Sequence, residues 1–401
     1  MNRQPASVEN ATPGDFRQAL GVIFLLTCTF FFNFFARAIP APLMLPMERD
    51  LGISHSQAGE LFLTLTLGYC TSLLCSGFIA SRVGHRNTIL LSASGLGPAL
   101  ILMAMSSGYP SALCAALLIG AATGMYLPSG IATMTSLVNP AHWGKALSIH
   151  ELAPNVSLCS APLVAEILFH WFSWRGILFI AGSCALLMAG IFHFSGAGDN
   201  SRGVPLNVSR MMEFARLPSF WIMVVCLGLA IGSSLGVYTM LPLYLVESLN
   251  IPRSEANTLL SFSRVAGIFT GFLGGWMADR FGARNTMRLI LTTTGVLTIL
   301  LGWMRDDWLV VLVFLQPAAS VCFFPAAFSA LPRIGGADTR NLSVALAAPM
   351  SLLIGAGLVP AVIGVMGDAG KFRPAFASVG IALLCASTLL WRLKLTETSG
   401  R

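Results

Sequence analysis

Two arginines lie inside long apolar stretches of this chain, where charged side chains are rare. Arg264 stands in the middle of LLSFSRVAGIFTG, and Arg37 stands in FFNFFARAIPAP. A guanidinium group is planar and carries several N–H donors in an arrangement that matches a carboxylate or a phosphate. We therefore predict that Arg264 binds an anion and that Arg37 assists it.

A structural role is the alternative for both arginines. An ion pair with Glu151 would satisfy Arg264 within the protein. Arg37 has two such alternatives: a pair with Glu60 in the next apolar segment, or extension of its long side chain to the membrane surface. Both interpretations stay open at the level of sequence.

A histidine and a glutamate follow each other in LSIHELAPN and are candidates for carrying a proton. Histidine titrates near neutral pH, and a carboxylate inside a membrane can bind a proton there too. We predict that Glu151 or His150 carries a coupling proton; the alternative is a structural pair close to Lys145. Four further polar groups either contact a bound molecule or bond a neighbouring helix: Tyr126, Tyr69, Tyr238 and Asn33. No His/Cys/Asp group has metal-ligand spacing, so we expect neither a metal nor a cofactor.

The elements that position these residues are predicted to be membrane-spanning helices. The 401 residues are 55% hydrophobic and 10% charged, whereas soluble proteins carry about 25% charged residues. The net charge of +7 is spread over short loops, which excludes a nucleic-acid-binding surface. Apolar stretches of spanning length recur, and they predict an all-α polytopic membrane protein with twelve transmembrane helices at 19–46, 56–80, 88–107, 110–137, 144–170, 175–194, 218–247, 255–277, 286–303, 307–331, 341–367 and 372–393.

One stretch of the chain occurs twice, which indicates two related halves. The segment that begins at Ser56 aligns without gaps with the segment that begins at Ser254, and Thr66 then stands opposite Arg264. We predict two pseudo-symmetric six-helix bundles with the following organisation: an N-terminal tail at 1–18, a first bundle at 19–194, a central loop at 195–217, a second bundle at 218–393 and a C-terminal tail at 394–401.

The distribution of Lys and Arg predicts the orientation of the chain in the membrane. If both termini are cytoplasmic, 16 of these residues lie on the cytoplasmic side and 6 on the outer side. Loops on the cytoplasmic side are enriched in positive charge. We therefore expect a multi-pass protein of the cell (inner) membrane with both tails and the central loop in the cytoplasm. We also expect it to act as a monomer within the lipid bilayer.

Two six-helix halves with a basic turn after helices 2 and 8 resemble the major facilitator superfamily. Its turn motif G-x-x-x-D-R-x-G-x-R is present in the second half as Gly275, Asp279, Arg280, Gly282 and Arg284. The first half keeps most of it, with Ser81 in place of the aspartate: Gly77, Arg82, Gly84 and Arg86. The resemblance implies secondary transport by alternating access, with these turns joining the halves on the cytoplasmic side. The alternative is that the arginines only hold the loops on that side.

Arg264 also resembles a helix-8 arginine of oxalate/formate-type exchangers and monocarboxylate transporters, and Arg37 a helix-1 arginine of organic-anion symporters. These resemblances imply a transporter, not an enzyme, that moves a small organic anion of the carboxylate type by proton-coupled symport or anion exchange.

The alternative is a proton-coupled exporter of drugs or amphipathic compounds. Such exporters have a helix-4 arginine, and helix 4 here carries no charge. They also have G-x-x-x-G-P in helix 5, where this chain has Ser157, Ala161 and Pro162. A membrane sensor or embedded enzyme is a third possibility, but no signalling domain or pair of catalytic groups stands out.

Overall fold

The computed structural model describes residues 16–198, 201–203, 215–304, 306–334 and 340–395, and its regular elements are helices. Most of the predicted N-terminal tail, much of the central loop and residues 396–401 lie outside this part of the chain. The first half contains six spans, three of them in two segments: α1 (Phe16–Ala38) with α2 (Pro40–Leu51), α3 (His55–Val83), α4 (His85–Ala104), α5 (Tyr109–Gly124) with α6 (Tyr126–Leu137), α7 (Trp143–His150) with α8 (Leu152–Leu168), and α9 (Trp174–Phe194).

The second half repeats this order. Its seventh span contains two π-helical turns, at Gly232–Gly236 and Tyr244–Ser248, and its eleventh contains one at Leu353–Leu358. The six spans are α10 (Pro218–Ile231) with α11 (Val237–Leu243), α12 (Arg253–Ser263) with α13 (Val265–Phe281), α14 (Ala283–Trp303), α15 (Asp306–Val321) with α16 (Phe323–Ala330), α17 (Arg340–Leu352) with α18 (Val359–Asp368), and α19 (Phe372–Leu389).

Ten helices within the described residues are long and apolar enough to cross a membrane. The other two spans are α7 with α8 and α12 with α13. These spans contain His150, Glu151 and Arg264, three of the four charged or titratable residues singled out from the sequence; the fourth, Arg37, is on span 1. A charged group inside a membrane is tolerated where it faces the interior of the bundle. The least apolar spans are therefore the ones to examine for function.

Prolines set four of the breaks within spans. Spans 1, 4, 5 and 10 are interrupted at one residue each, and in every case a proline follows three positions later: Ile39 and Pro42, Met125 and Pro128, Glu151 and Pro154, Cys322 and Pro325. Proline has no backbone N–H and its ring collides with the preceding turn, so the helix is disrupted just before it. The sequence therefore encodes these breaks locally.

The break at Arg264 is different, and it corrects the expectation of one continuous helix over 255–277. Helix α12 ends at Ser263 and α13 begins at Val265. The N–H of Arg264 bonds the carbonyl of Ser261 at 3.1 Å, and its own carbonyl accepts from Gly267 at 3.1 Å. Both bonds span three residues, as in a 3₁₀ turn. Gly267 stands where the other broken spans have proline, so local sequence does not explain this break.

The two halves are joined by ionic contacts on the face away from the termini. Arg49 at the end of α2 pairs with Glu247 of span 7 at 3.1 Å. Arg253 at the start of α12 pairs with Glu166 of α8 at 3.0 Å. Glu166 therefore serves as an ion-pairing residue between the halves.

Asp368 makes a third connection between the halves on this face. Its carboxylate lies at the end of α18 and accepts three hydrogen bonds from the first turn of α3: from the Ser54 hydroxyl at 2.8 Å, the His55 N–H at 2.8 Å and the Ser56 N–H at 3.0 Å. The first N–H groups of a helix lack partners inside the helix, and a negative charge there is stabilised. The structure is thus closed on the face away from the termini.

Candidate functional site

A cavity of about 40 Å³ lies between the halves. A cavity of about 10–15 Å³ holds one water molecule, so this one has room for a few waters or a very small ion. Its wall includes residues from both halves, among them Arg37 and Thr66 on one side and Tyr238 and Ala356 on the other. Arg37 is part of the wall itself, and Arg264 lies behind the wall residue Tyr238.

Arg264 is buried beside this cavity, with 7% of its surface exposed. One terminal nitrogen donates to the backbone carbonyl of Ser234 at 2.6 Å, and the other donates to the Ser234 hydroxyl at 3.3 Å. The guanidinium lies 4.4 Å from the ring centre of Tyr238, which forms part of the cavity wall. A cation over an aromatic face is stabilised without its charge being neutralised.

Arg264 has no acidic partner among the residues that the structure describes. Its Nε atom is buried and makes no hydrogen bond there. Glu151 lies instead against His150, at 3.6 Å. The alternative of an Arg264–Glu151 ion pair is therefore absent from this conformation, and the guanidinium retains both a net positive charge and an unused donor.

Arg37 has a similar environment in the first half. Its guanidinium lies 4.0 Å from the ring centre of Tyr69 and 4.8 Å from that of Phe34. Its Nε is also buried without a hydrogen-bond partner among the described residues. Glu60, the proposed partner, accepts a hydrogen bond from Tyr109, so it does not neutralise Arg37 here.

The two arginine–tyrosine pairs are built from equivalent helices of the two halves, with the arginine and the tyrosine exchanged between those helices. In the first half the arginine is on span 1 and the tyrosine on span 2. In the second half the tyrosine is on span 7 and the arginine on span 8. Arg264 aligns with Thr66, and Arg37 aligns with Leu235; both of these partners also line the cavity. Each half therefore contributes one cation from a different helix: Arg37 lies in the wall of the cavity, and Arg264 lies against its wall residue Tyr238.

His150, Tyr126 and Phe30 form a buried stack inside the first half. The imidazole lies parallel to the Phe30 ring with centroids 4.3 Å apart, and His150 is 0% exposed. The Tyr126 hydroxyl donates to the Leu26 carbonyl at 2.7 Å, so it accepts from His150 Nε2 at 3.1 Å. The proton of the neutral imidazole therefore belongs on Nε2.

This tautomer leaves His150 Nδ1 free to accept a proton. Nδ1 is buried, has no hydrogen-bond partner among the described residues and lies 3.6 Å from Glu151 Oε1. The Glu151 side chain is 58% exposed. The pair thus places an accessible carboxylate beside a buried nitrogen, with no direct hydrogen bond between them.

The four predicted polar contacts separate into three groups. Tyr69 and Tyr238 lie against the two arginines. Tyr126 belongs to the histidine stack. Asn33 is 3% exposed, and its amide donates to the Thr123 carbonyl at 3.0 Å and the Ser92 hydroxyl at 3.3 Å. Asn33 thus connects helices of the first half away from the central cavity.

The basic turn motifs have matching backbones in the two halves. Gly84 and Gly282 have φ angles of 85° and 81°, values that only glycine adopts readily. Arg86 caps the end of α9 by donating to the carbonyls of Ala197 at 3.0 Å and His193 at 2.9 Å.

The other motif residues show contacts only within their own halves in the described residues. Arg82 packs over Phe78 at 4.3 Å and Arg280 over Trp276 at 5.6 Å. Asp279 is exposed. The remaining positions are Gly77, Gly275 and Arg284. That these turns join the halves stays a prediction.

A larger depression of about 620 Å³ opens on the face away from the termini. Arg49 and Arg253 line it, but each is paired with a glutamate. Its cations are therefore neutralised, in contrast to those at the central cavity. The central cavity is the better candidate for binding an anion.

Ser234, the residue that holds Arg264, was not predicted as a site residue from the sequence. The available signal is the sequence GSSLG, in which two glycines flank it at Gly232 and Gly236. This segment forms a π-helical turn. Such turns are rare and often occur at functional sites, but sequence alone does not reveal which side chain they will face.

Comparison with known proteins identifies relatives along most of the chain. The Major Facilitator Superfamily matches residues 26–252 and 221–401. A probable nitrate/nitrite antiporter, NarK1 of Thermus thermophilus, is 25% identical over 316 residues, which cover 74% of this chain and 70% of that protein. The voltage-gated purine nucleotide uniporter SLC17A9 of Homo sapiens is 22% identical over 295 residues, which cover 69% of this chain and 67% of that protein. A probable hexose phosphate transport protein of Chlamydia trachomatis is 21% identical over 327 residues, which cover 70% of this chain and 69% of that protein.

Solved structures show the same fold. A bacterial homologue of the human lysosomal transporter Spinster, in an inward-facing and occupied conformation, superposes with a TM-score of 0.82 at 17% identity, over 95% of this chain and 97% of that one. A variant of the peptide transporter POT gives a TM-score of 0.80 at 15% identity and covers 96% of each chain.

Proposed function

This chain belongs to the major facilitator superfamily, and we propose that it moves a small organic anion of the carboxylate type across the membrane by alternating access. The observation that carries the proposal is the state of Arg264: 7% exposed, adjacent to the central cavity and without an acidic partner in the described residues. An unneutralised arginine in such a place is unfavourable unless something compensates its charge. A bound anion provides that compensation.

In this proposal the two arginines bind the anion from opposite halves. Arg264 uses its free Nε and its terminal nitrogens, and Arg37 contributes a second cation from the other wall. Three relatives named above are described as moving nitrate or nitrite, nucleotides and hexose phosphates, all of which are anions. They support an anionic substrate here, and the carboxylate class is our narrower proposal.

His150 and Glu151 supply the coupling proton if transport is symport. A proton entering from solvent reaches the exposed carboxylate first and can then be shared with Nδ1 of the buried imidazole. Anion exchange is the other mode, and it needs no such proton. We further propose that the protein lies in the cell membrane as a monomer, with both termini cytoplasmic, as the positive-inside bias predicts.

Thermal unfolding of purified protein against a panel of anions tests the proposal. The panel contains formate, oxalate, lactate and phosphate, and a ligand at a hundred times its dissociation constant stabilises the folded state by about 2.7 kcal/mol. We expect a carboxylate to stabilise wild type but not Arg264→Ala. Arg288→Ala is the matched control, because Arg288 also packs on an aromatic ring, at 3.3 Å from Trp391, away from the cavity.

Two results contradict the proposal. One is equal stabilisation of wild type and Arg264→Ala by the same carboxylate, which would show that Arg264 does not bind the anion. The other is stabilisation by lipophilic cations and by none of the anions, which favours an exporter of amphipathic compounds.

A further inference from the structure

Two backbone carbonyls beside the central cavity lack their usual helical partner because of proline. In an α-helix each carbonyl accepts from the N–H four residues later. Pro162 follows Leu158 by four residues and Pro360 follows Ala356 by four residues. Proline has no N–H, so neither carbonyl receives that bond.

Side chains of the opposite half bond both carbonyls. The Tyr238 hydroxyl on span 7 donates to the Leu158 carbonyl on span 5 at 2.9 Å. The Thr66 hydroxyl on span 2 donates to the Ala356 carbonyl on span 11 at 3.2 Å. Both donors are buried, Tyr238 at 1% and Thr66 at 4% exposure.

The arrangement is repeated in the two halves. Leu158 and Ala356 are 198 residues apart, as are Pro162 and Pro360, and so are Ser56 and Ser254 of the internal repeat. Each half therefore offers one carbonyl at the same position and receives a hydroxyl from the other half. The two bonds are not equal, because the Thr66 hydroxyl also donates to Phe62 of its own helix at 2.8 Å.

We propose that these two bonds are the contacts that close the central cavity, and that Tyr238 couples occupancy at Arg264 to closure. All four bonded residues line the cavity, and the ring of Tyr238 supports the Arg264 guanidinium. An anion that draws Arg264 toward the cavity acts on the same ring whose hydroxyl holds span 5. Tyr238 and Thr66 are positioning residues in this account. The coupling part rests on the proposed function, whereas the closing bonds do not.

Native Cys159 provides a reporter for opening. It is half-buried at the interface between spans 5 and 8, and its Sγ lies 3.8 Å from the Ser261 hydroxyl of the other half. A membrane-impermeant maleimide is added only to the side away from the termini of protein in vesicles, without any anion. Peptide mass spectrometry then gives the alkylation rate of Cys159 separately from the other cysteines.

Tyr238→Phe is expected to raise this rate about fivefold, the ratio that a neutral hydrogen bond of ordinary net strength supports. Thr66→Val is expected to raise it about twofold, since its proton is shared. Tyr244→Phe is the matched control: this tyrosine is on the same span, and its hydroxyl bonds Gly302 within its own half at 3.1 Å. It should label at the wild-type rate.

Pro162→Ala tests the proline directly while leaving Tyr238 in place. The new N–H competes for the Leu158 carbonyl, so labelling should rise, and adding Tyr238→Phe should then have little further effect. Such non-additivity is the signature of two residues acting through one bond. Equal rates for Tyr238→Phe and Tyr244→Phe, or fully additive effects of Tyr238→Phe and Pro162→Ala, overturn the proposal.

The result is separable from the proposed function. Labelling is measured without anion, so it can fail while carboxylates still stabilise the protein through Arg264. Conversely, if no anion binds, the labelling pattern still decides whether the two bonds hold the halves together. With a stabilising carboxylate present, labelling of wild type should slow several-fold and that of Tyr238→Phe should slow less.

Discussion

Replacing Asp368 by asparagine should loosen the closed face of the molecule. The carboxylate accepts three hydrogen bonds across the interface: one to Oδ1 from the His55 N–H at 2.8 Å, and two to Oδ2 from Ser54 at 2.8 Å and Ser56 at 3.0 Å. An amide has one accepting oxygen, and its NH₂ group would face a donor. At least one bond is lost, together with the favourable charge at the helix N-terminus.

A hydrogen bond to a charged group contributes about 1.5–3 kcal/mol, and less where solvent reaches it, as it does here. We therefore expect Asp368→Asn to destabilise the closed state relative to the open state by about 1–3 kcal/mol, which shifts the opening equilibrium by a factor of about 5–150. The measurement is hydrogen exchange by mass spectrometry on peptides that cover residues 54–60. The His55 and Ser56 amides have Asp368 as their partner, so their exchange should accelerate within that range.

Asp50→Asn is the control for charge removal on the same face. Asp50 bonds Trp174 at 3.0 Å and Arg175 at 2.9 Å, both within the first half. It should leave exchange at residues 54–60 unchanged. If Asp368→Asn also leaves it unchanged, Asp368 does not hold the halves together, and the inference of a closed face loses this contact.

Three further predictions address coupling, packing and the turns. Glu151→Gln should abolish uptake driven by a pH gradient and leave anion counterflow intact; loss of both in proteoliposomes would show that Glu151 is structural. Gly120→Ala should lower the free energy of unfolding by about 1–3 kcal/mol through overpacking, because its new methyl group would overlap the Leu65 backbone. Thermal unfolding measures this, and the control Gly190→Ala, whose methyl group would have nothing within 4 Å, should unfold at the wild-type temperature. Gly282→Ala should destabilise by about 1–2 kcal/mol because φ is 81°, and an unchanged unfolding midpoint would contradict a strained turn.

The sequence predicted the architecture well because apolar length is a direct consequence of bilayer thickness. The fold class and the family are confirmed by the match along the chain and by the solved structures, as is a transporter in preference to an enzyme. Four helix breaks can also be predicted from the sequence, since each is marked by a proline: Pro42, Pro128, Pro154 and Pro325. These features depend on local residues and on composition.

The site was less predictable because its contacts connect distant parts of the chain. That Arg264 is buried followed from its apolar neighbours. The helix break at Arg264 and the bonds from Arg264 to Ser234 could not be predicted in this way, since the bonds depend on a π-helical turn of span 7. Similarly, Asn33 was as plausible a cavity residue as Tyr69 until the packing of the first half placed its amide against Thr123.

The most direct test of the central claim is counterflow of a radiolabelled carboxylate in proteoliposomes, with oxalate, formate and lactate tried in turn. Wild type, Arg264→Lys and Arg264→Ala are compared after equal incorporation and equal unfolding temperatures have been established. If Arg264 binds the anion, Arg264→Ala loses at least about a hundredfold in kcat/KM, equivalent to about 3 kcal/mol of binding, and Arg264→Lys recovers part of it. Counterflow by Arg264→Ala at the wild-type rate would contradict the account.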